Sequence, residues 1–144
     1  MVTEPVFELE GFGVLKLISD KNGSEWFGNV QNISKNKTVE LSIEVESNSL
    51  PSPNQIAFAK RFAQHIEVTE QIIYDYIYKS FNETEWQMTK ESLKRMYYLS
   101  ALMLKRHSED VWITLEPHAD VPTIFNHFLR FTLRNNEIVW SNLA

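Results

Sequence analysis

The chain contains no cysteine. Disulfides, thiol nucleophiles and every thiolate-held metal are therefore excluded, zinc ribbons and iron–sulfur clusters among them. Glycine is scarce, at four residues, and proline at five is hardly more common, so collagen-like and Pro/Gly-rich low-complexity chains are excluded as well. Long apolar runs are missing: stretches such as 97–99 and 101–104 fall far short of the roughly 20 residues that span a bilayer. Nor is there an excess of positive charge. Fourteen Lys and Arg stand against nineteen Asp and Glu, a net charge of −5, which disfavours sequence-independent binding to phosphate backbones. Neither a membrane nor a nucleic acid is an expected partner. Met1-Val2-Thr3-Glu4-Pro5 lacks the basic region and apolar run of a secretory signal, and a cytoplasmic location is the expectation.

What is present is an ordinary globular composition, 43% hydrophobic and 23% charged over 144 residues, which fits one domain covering 1–144. Strand-like alternation occupies 6–46, helical spacing 53–82, and strand-like alternation returns over 97–142. The expected class is α+β: a twisted antiparallel sheet built from the N- and C-terminal strand blocks, with a central pair of helices packed on one face.

Turn chemistry sets the expected registers. Asn22-Gly23 is a favoured two-residue hairpin turn and Lys35-Asn36 a second, which place Leu15 opposite Val30, Ser19 opposite Trp26, Val30 opposite Leu41 and Trp26 opposite Val45. One face then carries Leu15, Leu17, Trp26, Val30, Leu41, Ile43 and Val45. The other carries Val14, Ile18 and Phe27 beside Glu40 and Glu44. An earlier strand at 6–9 joins through Glu10-Gly11-Phe12-Gly13, where glycine supplies positive φ. Late turns at Ser108-Glu109 and Asn135-Asn136 pair Leu104 with Ile113, Leu102 with Leu115, Leu133 with Ile138 and Phe131 with Trp140, leaving Met103, Trp112, Phe128 and Val139 on the second face.

Between the blocks, Ser52-Pro53-Asn54-Gln55 reads as a helix start: serine cap, proline at the first position and glutamine closing a capping box. Ile56, Ala59, Phe62, Ala63 and Ile66 form its inward stripe. Thr69 is the expected cap of a second helix. Its inward stripe is Ile72, Ile73, Tyr76, Ile77, Ser80 and Phe81, with Asp75 and Lys79 paired toward water.

Chemistry-bearing motifs are few. Glu116, His118 and Asp120 alternate along an extended segment, so a strand presents two carboxylates and an imidazole on one side, a spacing compatible with a divalent ion or acid–base work. The ordinary reading of these residues is a polar strand end between Pro117 and Pro122. His127 interrupts the apolar row Phe125, Leu129, Phe131, Leu133, as a buried, hydrogen-bonded imidazole or as a general base. No zincin pair, EF-hand loop, nucleophile elbow, dinucleotide fingerprint or phosphate loop occurs. No metal, other cofactor or catalytic residue is assigned. Surfaces carry more promise. Phe27 with Glu40 and Glu44 mixes apolar and acidic groups as a protein interface does, suiting a partner with basic residues, and Trp112 is an aromatic anchor.

The strand Trp26-Phe27-Gly28-Asn29-Val30, the alternating 39–45 strand, the helical Ile72-Ile73-Tyr74-Asp75-Tyr76-Ile77-Tyr78 and the late Phe125-Asn126-His127-Phe128 together resemble small bacterial domains of unknown function. Some of their relatives are thought to be immunity proteins encoded beside polymorphic toxins. The resemblance covers most of the chain and implies a protein partner, a basic toxin, with an aromatic-x-His pattern at His127; it carries over no catalytic residues. The resulting expectation is a non-enzymatic protein-binding domain that neutralises a toxin. Its alternatives are a small hydrolase or metal-dependent enzyme using Glu116, His118, Asp120 or His127, and a homodimer that buries the Trp112 face.

Overall fold

The computed structural model describes residues 5–21, 23–34, 37–85, 87–106, 109–118 and 128–143. Asp120, His127, Phe125, the Lys35-Asn36 pair, Asn22 and Ser108, on which expectations above depend, lie outside them. Eight strands form one mixed sheet whose spatial order follows the chain. β1 (Val6–Leu9), β2 (Gly13–Asp20), β3 (Gly23–Ser34) and β4 (Lys37–Val45) make the first block; β5 (Tyr97–Leu104), β6 (Val111–Pro117), β7 (Leu129–Arg134) and β8 (Glu137–Ser141) make the second. Neighbours within each block run antiparallel. The blocks join through β4 and β5, which are parallel. The expectation of a wholly antiparallel sheet is thus corrected at one junction. The chain between these strands passes through α1 (Pro53–Gln64), α2 (Ile66–Ser80) and α3 (Lys90–Met96), a crossover long enough to start β5 at the same end as β4.

Local sequence explains the helix ends. Ser52 accepts from the Gln55 N–H while the Gln55 side chain accepts from the Ser52 N–H, with Pro53 opening the helix, the capping box expected there. Thr89 caps α3 by accepting from the Ser92 N–H. The α1–α2 boundary falls at His65 (φ −113°, ψ 24°), so Thr69 is no cap. It is buried inside α2. The fully buried α2 residues are Thr69, Ile73, Tyr74 and Ile77, with Ile72, Tyr76 and Phe81 of the expected stripe partly buried against the core, whereas Ser80 is exposed. Asp75 pairs with Lys90 of α3 rather than with Lys79.

The expected faces hold while the expected registers slip. Leu15, Trp26, Val30, Leu41, Ile43 and Val45 are buried in one cluster with Ile113, Leu115 and Phe131 of the second block and Ala59, Ile73, Ile77 and Leu93 of the helices. Yet Trp26 lies opposite Leu17 and Ile43, not Ser19 and Val45. In the first hairpin the strands pair as far as Asp20 opposite Gly23, one residue earlier than a turn on Asn22-Gly23 requires. Each pairing therefore moves by two, and a shift of two keeps every side chain on its own face. In the second hairpin Ser34 meets Lys37 as expected, but a bulge between Val30 and Ser34 re-pairs everything beyond it. That bulge contains Asn32 at φ 69°. The Asn32 amide donates to the Gly11 carbonyl at 2.6 Å, and the Gln31 N–H donates to that of Phe12. In the second block Leu104 meets Val111 and Leu102 meets Ile113, again two residues from expectation, and Ser100 is an extra residue in β5.

Candidate functional site

Alternation sends the remaining side chains to the opposite face of the sheet. One row crosses all eight strands there: Val6, Lys16, Phe27, Ser42, Met103, Trp112, Thr132 and Trp140, each opposite the next. Its cover is uneven: Phe27 is half-buried and Ser42 buried in the middle, whereas Val6 at the β1 end is exposed. Toward the β8 end, Trp112 and Trp140 are 48% and 54% exposed. With Phe128 and Val139, also exposed, they leave an apolar surface on the second block that solvated strands rarely carry.

Trp140 belongs to this surface because of a bulge. Leu133 pairs with Ile138 as the turn chemistry requires, but Thr132 then pairs with Trp140, so Val139 is an extra residue in β8. The expectation that Trp140 faces Phe131 on the core side is corrected. Ser141 occupies that place, and its hydroxyl lies 3.1 Å from the Tyr76 hydroxyl of α2. The run Ile138-Val139-Trp140, three adjacent apolar residues, was the available signal: strict alternation cannot turn all three inward.

A cleft of about 580 Å³ opens between the two indoles, lined by Trp112, Thr114, Arg130, Thr132 and Trp140 over the backbone of Ile113 and Phe131. Trp112 and Trp140 stand two strands apart, so their backbones are separated by about 10 Å. Trp112 is held from its other side. The Lys105 ammonium sits 3.9 Å from the indole centroid and bonds the Glu44 carboxylate at 2.8 Å. The Arg106 N–H also donates to Glu44. Burial raises the Glu44 carboxyl, but the Lys105 and Arg106 contacts outweigh it and hold the group below the usual carboxylate range. Two expected binding residues, Glu44 and Trp112, are therefore connected through Lys105, which the sequence reading did not single out. Arg134 makes a bidentate pair with Asp110 at 2.7 and 2.9 Å. Arg130 differs: its backbone N–H bonds Asn142, but its exposed guanidinium has no partner among the described residues. Glu40, the remaining candidate, is exposed opposite Asn29 and Ala101.

The chain matches no protein-family model, no curated protein and no solved structure.

Glu116 and His118 come together near the far end of the same face. Both meet Tyr98: its hydroxyl donates to Glu116, and its ring lies 4.8 Å from the His118 ring. Lys37 sits 3.9 Å above the Tyr98 centroid. Burial, then the Glu116 charge and hydrogen bond, raise the Tyr98 phenol, which keeps it a proton donor to the carboxylate. Among the described residues no three His, Asp or Glu side chains group as metal ligands, and no helix is long and apolar enough to cross a membrane.

Proposed function

We propose that this chain is a protein-binding domain that docks its partner on the face of the sheet opposite the helices, through β5–β8. One observation supports this most: Trp112 and Trp140 are half exposed on either side of an apolar cleft, and Trp112 is already fixed by Lys105 and Glu44. Indole anchors supply large contact area at small cost in side-chain entropy, and an anchor held before binding costs less still. The acidic Glu40 on the neighbouring block gives basic residues of the same partner a place to approach. The resemblance to immunity proteins makes a toxin the partner class to test first, by co-expression with the product of an adjacent gene. A photocrosslinking residue at Thr132 is expected to trap one protein in cells, and the same residue at Lys60 of α1 is not. Equal trapping at both positions, or none at Thr132, would refute the proposal.

A hydrolytic role is the second reading, favoured by Glu116 and His118 meeting at Tyr98. Against it, Tyr98 and Glu116 already satisfy each other, as a structural pair does. Zinc or manganese titration that shifts the His118 ring resonances would support this reading, and unchanged resonances would end it.

A further inference from the structure

We infer that the cleft between Trp112 and Trp140 takes a short acidic peptide segment of the partner, a large apolar side chain entering between the indoles and a neighbouring carboxylate pairing with Arg130. The inference rests on the protein-binding reading and adds the chemistry of what enters the cleft. Charge decides it. Lys105, over the Trp112 indole, shares Glu44 with Arg106, and Arg134 pairs with Asp110, while Arg130 lines the cleft with its guanidinium unengaged among the described residues. An incoming Lys or Arg would meet this charge with no carboxylate among the described residues of the lining to offset it. An incoming carboxylate finds the planar fork that matches it in two parallel hydrogen bonds. One unpaired cation answers one carboxylate rather than the phosphate series of a nucleic acid, which needs many cations. The Thr114 and Thr132 hydroxyls supply polar partners for a peptide backbone. At about 580 Å³, the cleft also holds more than a single side chain. The expected preference for basic residues is thereby confined to the Glu40 side of the face.

The test is selection of a random dodecapeptide display library on the intact chain, followed by titration of one selected peptide against variants. The expected consensus is an aromatic or aliphatic residue within two positions of Asp or Glu. Binding of that peptide should fall roughly tenfold or more in Arg130→Gln, a charge-assisted pair being worth at least that factor, and further in Trp140→Ala. Lys60→Gln, exposed on α1 and away from the cleft, should leave it unchanged. Both cleft residues are exposed, so each variant is expected to fold, and its melting curve checks this. Selection of basic peptides whose binding depends on Glu40 and not on Arg130 would overturn the inference while leaving the protein-binding reading intact. Binding of neutral oligosaccharides at the indoles, with no peptide selected, would overturn both. So would peptide binding that is indifferent to Trp112→Ala and Trp140→Ala.

Discussion

Gly28 allows a direct test of the close packing that sets the β2–β3 half of the sheet. A Cβ built on Gly28 lies 2.4 Å from the Val14 carbonyl oxygen and 3.1 Å from Leu15 Cδ2. The leucine tip can rotate away. The carbonyl can retreat only if β2 moves. Ordinary contact begins near 3.4 Å, so Gly28→Ala requires about 1 Å of separation beside the ladder that starts at Lys16 opposite Phe27. Such a shift takes two neighbouring hydrogen bonds of about 2.9 Å out of range, at roughly 1 kcal/mol each. Overpacking of a filled core adds about 1 kcal/mol. Reduced freedom of the unfolded chain returns about 0.5 kcal/mol. The net loss is about 2–3 kcal/mol, or a melting temperature lower by roughly 5–10 °C for a chain of this size. Gly11→Ala is the control: it meets no atom within 4 Å but keeps φ at +84°, so its cost is the left-handed penalty of about 1–2 kcal/mol alone. Urea unfolding followed by circular dichroism measures both. A Gly28→Ala protein as stable as its parent would refute the close approach, and with it the packing of β2 on β3.

Three further outcomes follow from particular contacts. Because the Glu44 carboxyl is held below its ordinary value, the stability it contributes is present above the unfolded value of 4.5 and is lost as pH falls through the lower folded value. Lys105→Met is expected to move the Glu44 carboxyl resonance titration upward and to weaken the fold at pH 7 by less than about 1 kcal/mol, since the pair is partly solvated; an unmoved titration would contradict the pairing. Tyr74→Phe removes the donor to the buried Tyr97 carbonyl and should lower stability by about 1–3 kcal/mol in urea unfolding. Ser52→Ala deletes the cap of α1 and should cost about 1 kcal/mol by the same measurement, with the far-UV spectrum nearly unchanged.

In the first strand block, which face each residue occupies could be read from the chain, because alternation depends only on neighbours, whereas in β8 the Val139 bulge turned Trp140 to the other face. Glu40 and Glu44 flank Leu41 and Ile43, and no even shift of register changes which of them is buried. The capping box at Ser52 and Gln55 was readable for the same reason: its partners are three residues apart. Pairing itself was not readable wherever a bulge intervened. Asn32 takes φ 69° while its side chain reaches Gly11, twenty-one residues away, and no local pattern announces that contact. The parallel junction of β4 with β5 is equally non-local, since it depends on where three helices return the chain.

The same bulges account for the candidate site. Without Val139 as an extra residue, Trp140 would lie opposite Phe131, as turn chemistry alone predicts, and Trp112 would stand as a lone exposed indole. With it, two indoles share a row with Thr132 between them. Bulges at a sheet edge commonly re-aim a side chain in this way, and β8 is an edge strand. Leaving an indole half exposed there forgoes about 1.5–3 kcal/mol of burial that a core position would provide, and exposed apolar edges invite unwanted pairing. Neither cost serves the fold, because Phe131 is fully buried without Trp140 above it. Lys105, by contrast, ties the other indole to Glu44 across the junction of the two blocks. An apolar surface that the core does not need, with one wall fixed in advance, is what the proposed docking face requires.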